Sequence, residues 1–192
     1  DKLEQTLTLG EHYKLQGQND KAIAEYKKAY EIDPDNTAVI ILLFDQALLQ
    51  KDLTLAEEMA EKVRDDNIDK CEGELFTARL DIVREDFNSA LEKLDNCLET
   101  LPVFSHGYLL RSQIHKQLGN YDEAIKDITK ANNMDPLNSS IAKQMATLLY
   151  GRNLRLGRNV SPEQIAQTEK AFIRATFLNP TDAAIQNVYA EY

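Results

Sequence analysis

The chain has 192 residues, and its 22 Lys+Arg against 32 Asp+Glu give a net charge of -10. That balance argues against a general binder of nucleic acid or anionic membrane, which needs clustered cations to meet phosphates. No apolar run reaches the roughly 18 residues that a bilayer-spanning helix requires, and the first residues lack the basic and apolar regions of a signal peptide. A soluble protein is expected, with the cytoplasm favoured over export. The chain opens on Asp1 rather than Met, which reads as a cut-out or a processed product.

An internal repeat organises everything else. Ala22, Ala56, Ala90 and Ala124 recur at intervals of 34, Pro102 and Pro136 are one interval apart, and Pro34 lies two intervals before Pro102. Unrelated helices would not hold an alanine in phase, so the chain reads as one array of similar units, each packing on its neighbours. The expected units are 3–36, 37–70, 71–104, 105–138 and 139–182, followed by a partial sixth helix over 182–192.

Each unit carries apolar residues at spacings of three and four, the mark of two amphipathic helices, A and B. In the first, helix A runs from Leu3 to Gln16, Gly17 ends it in a left-handed conformation, and Asp20 is placed to cap helix B. Helix B buries Ala22, Ile23, Tyr26 and Ala29 and stops at Pro34. The second unit diverges: Ile68 stands where proline is expected, and Phe44 occupies the place of Gly10. Ala60 replaces Tyr26, so volume removed from helix B balances volume added to helix A. Its helix A, TAVIILLFDQALLQ, is apolar around most of its circumference.

The third unit keeps Phe87, Ala90, Leu94 and Pro102 but puts Asp81 in the place of Tyr13. Cys71 and Cys97 fall at ends of its two helices that lie side by side. A disulfide is therefore open to them, while the favoured reading is two reduced thiols with Cys97 in a small core place. The fourth unit keeps the turn GNYDEA from Gly119 to Ala124. Pro180 then lies 44 residues past Pro136, one interval plus ten, so the fifth unit holds a ten-residue insertion within YGRNLRLGRNV. Helix B restarts with Ser161, Pro162 and Gln164, a capping box with proline at the first helical position. The last helix places Tyr189 and Ala190 like another helix A without its B, which suggests truncation rather than a closing cap.

Leu9, Gly10, Tyr13, Gly17, Ala22, Tyr26, Ala29 and Pro34, and again Gly119, Tyr121, Ala124, Ala131 and Pro136, resemble the signature of the tetratricopeptide repeat. The resemblance extends over nearly the whole chain. It implies an all-α fold, a right-handed superhelical solenoid of antiparallel helix pairs, whose A helices line a concave groove that binds a peptide or helix of another protein. Carried over place by place, the groove includes Ile41, Asp45, Leu48 and Leu49, then Leu75, Arg79, Ile82 and Val83, then Leu109, Gln113, Lys116 and Gln117. Glu11 and Lys14 share this face in the first unit, and Lys143, Gln144, Thr147 and Tyr150 in the fifth. The carboxylate clamp of the chaperone-binding members is excluded, because Leu7, Glu11, Leu42, Glu72 and Phe76 stand where the clamp has lysine, asparagine or other basic residues. The middle of the groove is apolar and suits an amphipathic or extended hydrophobic segment.

No constellation supports catalysis, and no cofactor or metal is called for. His12, His106 and His115 have no ligand spacing, two cysteines are too few for a structural zinc site, and there is no phosphate loop or nucleophile motif. Glu57, Glu58 and Glu61 read as a solvated face. Arg152, Arg155 and Arg158 form a secondary basic edge at spacing three, favoured as a solvated loop unless the helix continues through Arg155. The functional expectation is a noncatalytic adaptor that binds protein rather than nucleic acid or membrane. Self-association, and a regulatory or recruiting arm of a larger enzyme or envelope secretion machine, are the alternatives.

Overall fold

The structure, a computed structural model, describes residues 1–65 and 70–192; the Ile68 departure from proline lies outside them. The described residues form α1 (Lys2–Leu15), α2 (Asn19–Ile32), α3 (Thr37–Gln50), α4 (Leu53–Asp65), α5 (Lys70–Val83), α6 (Phe87–Thr100), α7 (Ser105–Gln117), α8 (Tyr121–Met134), α9 (Ser139–Leu156), α10 (Pro162–Leu178) and α11 (Ala183–Glu191). A single 3-10 turn, Gly157–Asn159, follows α9. No strand occurs among the described residues, and the fold is an all-α helical repeat of the solenoid class. Two compact units are present, Asp1–Cys97 and Leu98–Tyr192.

Within each unit, helices pack on the ones that precede and follow them in the chain. Side-chain contacts fix the antiparallel sense of the pairs. Cys71 at the start of α5 meets Cys97 near the end of α6, whereas Asp81 near the end of α5 accepts a hydrogen bond from Ser89 Oγ at the start of α6 (2.8 Å). In the next pair Ser112 Oγ of α7 donates to the Ala124 carbonyl of α8 (2.7 Å), and Arg111 grips Asp127.

The crossing within each pair rests on unequal volumes. A Cβ on Gly10 would lie 2.4 Å from Cε1 of Tyr26, so only glycine lets that ring lie flat against α1. One repeat on, the sizes reverse and Phe44 and Ala60 are both buried. The same places hold Ala78 with Leu94, Ser112 with Ile128 and, allowing for the insertion, Ala146 with Phe172, all buried. Ala22, Ala56, Ala90 and Ala124 are also fully buried. In the fifth unit Thr168 takes the alanine place, where its hydroxyl accepts from Asn153 Nδ2 (2.8 Å) and donates to the Gln164 carbonyl (2.9 Å).

Turn chemistry agrees with the sequence in part. Gly17 (φ 70°) and Gly119 (φ 78°) adopt the left-handed conformation. The following amides then reach back to Tyr13 O (2.9 Å) and His115 O (2.8 Å), satisfying carbonyls that the helix ends leave open. Lys51 and Glu85 hold the same conformation without glycine, at roughly 1–2 kcal/mol each. The Asp20 cap is not formed: α2 starts earlier, its N-cap Gln18 makes no capping bond and donates its side-chain amide to Gln16 Oε1 (2.9 Å), and Asp20 instead accepts from Gln50 Nε2 (3.0 Å). The turn is too short after Gly17 for the helix to wait for Asp20. The Ser161–Gln164 capping box forms as expected.

Two further expectations are corrected. Cys71 and Cys97 are joined rather than free: the paired helix ends bring their Cα atoms to 4.9 Å, inside the window a disulfide needs. The insertion is not a loop. It lengthens α9 to 18 residues and α10 to 17, against 14 in α1 and α2. Asn153 stays buried along the extension and donates to Thr168 of α10 (2.8 Å), and the chain stays helical until Gly157. Gln46 is a local misfit, fully buried with neither amide atom partnered, where the third, fourth and fifth repeats place Leu80, Ile114 and Leu148 and the first has exposed His12.

The volume rule is testable by a thermodynamic cycle. Gly10→Phe alone should destabilise by roughly 1–3 kcal/mol or more through overpacking. Combining it with Tyr26→Ala, which copies the Phe44 and Ala60 arrangement, should recover part of the combined loss, with a favourable coupling of about 0.5–3 kcal/mol in thermal denaturation. Strict additivity would disprove the pairing.

Candidate protein-binding surface

The residues that the repeat register assigns to the groove lie on the A helices. In the compact unit Asp1–Cys97, α3 and α5 stand side by side, and residues one interval apart touch. Arg79 Nη2 donates to Asp45 Oδ1 at 2.7 Å. The Arg79 guanidinium also lies over the Phe44 and Phe76 rings, 4.9 and 5.9 Å from their centroids, and the two rings meet edge to face at 4.8 Å. A cation held between a carboxylate and aromatic faces is oriented without being buried, since both charged partners remain part-exposed.

The apolar stretch of α3 divides between core and surface. Val39, Ile40, Leu43, Phe44 and Ala47 are buried, Ile41 and Leu48 are partly buried against that core, and Leu49 is 68% exposed. A helix apolar all round is thus explained by burial on both sides, with one leucine left outward. Leu75, Ile82 and Val83 of α5 are half-buried.

The compact unit Leu98–Tyr192 has a different character. Gln113 Nε2 of α7 donates to Gln144 Oε1 of α9 (2.6 Å), and Leu109 packs on the core. Gln113, Lys116 and Gln117 line a cleft of about 200 Å³ together with Ser112, Gln144, Thr147 and Leu148. Its lining combines three amides, two hydroxyls and one ammonium with the Leu148 side chain. Lys143 is held by Asp182 at 2.7 Å.

The basic edge does not form one stripe. Arg152 turns to Asn153 and to Gln167 of α10, Arg155 crosses to the Gly119 carbonyl (3.0 Å) and stacks over Tyr121, and Arg158 sits exposed in the 3-10 turn.

Several polar residues that shape these surfaces were not singled out from sequence as pairs. Asp127 is buried beneath a bidentate Arg111 (2.7 and 2.8 Å), with His115 Nε2 4.0 Å away. Asp81 is buried between Ser89 and Lys93. A carboxylate at an inner-face register place is the signal for such a pair, although its cation comes from the partner helix at a spacing no motif records. Among the described residues, no group of three or more His, Cys, Asp or Glu is placed to hold a metal, and no helix is long and apolar enough to cross a membrane.

Comparison with known proteins agrees with the helix-pair geometry. A family model described as TPR repeat matches residues 10–39, and one described as tetratricopeptide repeat matches 105–136. The chain carries tetratricopeptide repeats. A thermophilic TPR protein of Thermus thermophilus superposes with a TM-score of 0.78 at 17% identity, covering 98% of this chain and 97% of that one. A tetratricopeptide repeat protein of Parabacteroides merdae gives 0.79 at 14% identity, covering 96% of this chain and 68% of that one. The Protein SGT1 homolog of Oryza sativa subsp. japonica is 39% identical over 59 residues, which span 31% of this chain and 16% of that protein. At such identities the solved structures establish the fold. The tetratricopeptide framework is that of a protein–protein interaction scaffold.

Glu11, on the A face of the first repeat, is coupled to the repeat core. It accepts from the Tyr26 hydroxyl (2.7 Å) and meets Lys14 Nζ at 3.2 Å. The Tyr26 bond holds the Glu11 carboxyl below its ordinary 4.5, outweighing burial, with Lys14 helping. Burial and then the Glu11 bond push the Tyr26 phenol above its ordinary 10.0. The depressed carboxyl contributes stability above pH 4.5 that is lost as pH falls through its folded value; the raised phenol contributes below pH 10.0 and loses it as pH rises. Tyr26→Phe should therefore cost about 1 kcal/mol near neutrality, allowing for the exposure of Glu11. The gap from wild type should narrow in acid and in alkali, and a gap independent of pH would show that the bond is not made.

Proposed function

We propose that this chain, as one array of five repeats over 1–192, is a noncatalytic adaptor whose A-helix faces hold a segment of a partner protein. The observation that carries the reading is the direct contact between adjacent A helices, Asp45 with Arg79 in one unit and Gln113 with Gln144 in the other. No B helix intervenes, so the outward residues of neighbouring repeats share a surface in each unit. In the first unit that surface joins exposed Leu49 to half-buried Ile82 and Val83 beside an oriented guanidinium. Such a face suits an apolar side chain flanked by a carboxylate. In the second it offers the amides of Gln113, Gln117 and Gln144, which suit the backbone of an extended segment.

A photo-crosslinker installed at Leu49 or Gln117 should give adducts with the partner, while one at Lys27, on the exposed side of α2, should not. Equal adducts from Lys27 would place binding elsewhere.

Self-association is a second reading, favoured by α10. Ile173 and Phe177 are 54% and 81% exposed where earlier repeats carry Lys27, Glu61, Asp95 and Thr129, and Glu31, Asp65, Glu99 and Asn133. An apolar pair in a column of polar residues is the pattern of a covered surface. Sedimentation velocity should then show a mass that rises with concentration and becomes monomeric in Phe177→Glu. A wild-type mass that is monomeric at every concentration removes this reading.

A further inference from the structure

Between Pro136 and Pro162 there is no Asp or Glu, yet Lys143, Arg152, Arg155 and Arg158 all fall there. This contrasts with the rest of the chain: residues 1–97 carry 12 Lys+Arg against 23 Asp+Glu, whereas 98–192 carry 10 against 9. Lys143 is answered by Asp182. The three arginines are not answered in that way. Arg152 Nε and Nη2 donate to Asn153 Oδ1 (3.3 and 3.1 Å), and Nη1 and Nη2 donate to Gln167 Oε1 (3.4 Å each). Arg155 Nη1 donates to the Gly119 carbonyl, and its guanidinium lies 5.6 Å from the Tyr121 ring centroid. Arg158 is exposed in the turn after α9. Arg79, Arg84 and Arg111, in contrast, each meet a carboxylate.

We infer that the C-terminal end of α9 is a docking site for an acidic peptide segment of a partner protein. Neutral acceptors orient Arg152 and Arg155 without cancelling their charge, which lowers the entropy lost when a carboxylate arrives. Arg155 spends one of its five N–H donors on Gly119, leaving others for a bidentate carboxylate. The helix dipole supplies only about half a negative charge at this end, against three guanidinium charges. Leu154 (64% exposed) lies between Arg152 and Arg155 in the chain, and Leu118 (44% exposed) adjoins the Gly119 that Arg155 contacts. Apolar contacts beside cations fit a peptide in which carboxylates alternate with aliphatic side chains. A nucleic acid, with its unbroken charge, is disfavoured by the acidity of the first unit. The site is created by the lengthened α9, beyond the Tyr150 place of the A-helix face; it rests on the adaptor reading only in taking protein as the ligand.

Fluorescence anisotropy with a labelled peptide repeating Asp-Glu-Leu tests this against a Lys-Lys-Leu peptide and an oligothymidylate of matching length. The acidic peptide should bind at least about tenfold tighter than either control, with affinity falling as salt rises. Arg155→Ala/Arg158→Ala should weaken it by about tenfold or more, and Arg158→Ala alone by about threefold with an unchanged melting curve. Leu49→Glu should leave it intact. The inference is overturned if the acidic peptide does not bind, if the arginine variants bind it like wild type, or if the oligothymidylate binds as well. Loss in Leu49→Glu with no loss in the arginine variants would overturn this edge while leaving the A-helix face standing.

Discussion

The fit of a small residue on one helix of each pair against a large one on the other is the constraint on which the rest of the structure depends. Helices pack at axis distances of roughly 8–10 Å, set by the side chains at their contact. A repeating framework needs similar distances in successive pairs. Gly10 with Tyr26 meets that need in one direction and Phe44 with Ala60 in the other, while Ala78 with Leu94, Ser112 with Ile128 and Ala146 with Phe172 return to the first. The fully buried alanines one turn earlier on the B helices serve the same close approach.

Polar residues enter this packed interior under stricter terms. Asp127 is buried because Arg111 meets both its oxygens, and Asp81 because Ser89 and Lys93 converge on it. A buried carboxylate without such partners would carry a large desolvation cost. Gln46 departs from the rule, with both amide atoms buried and unpartnered. Thr168 illustrates the opposite case, a hydroxyl placed in the alanine column and satisfied on both sides by Asn153 and Gln164.

Since packing uses the inner faces, the outward faces are at liberty to differ. They do so from repeat to repeat: an arginine framed by phenylalanines on α3 and α5, an amide-lined cleft on α7 and α9, and isoleucine and phenylalanine outside α10. This is the physical basis on which a repeat scaffold separates its fold from its binding. The A-face place shared by Glu11, Asp45, Arg79, Gln113 and Thr147 shows it most directly, since five different side chains occupy one geometric position.

Sequence by itself determined the helix pairs, their period and the compensating volumes, because alanine phase, proline stops and three-and-four spacing are local consequences of helix geometry. It also determined the Gly17 turn and the Ser161 cap, whose hydrogen bonds span only a few residues. Tertiary structure decided what depends on the distance between segments remote in the chain. It decided that Cys71 reaches Cys97, that Arg79 reaches Asp45, that Leu48 packs inward while Leu49 faces out, and that most of the additional residues lengthen two helices joined by a short 3-10 turn. Periodicity tells which side of a helix is apolar. Only the packed neighbours determine how much of that side remains for a partner.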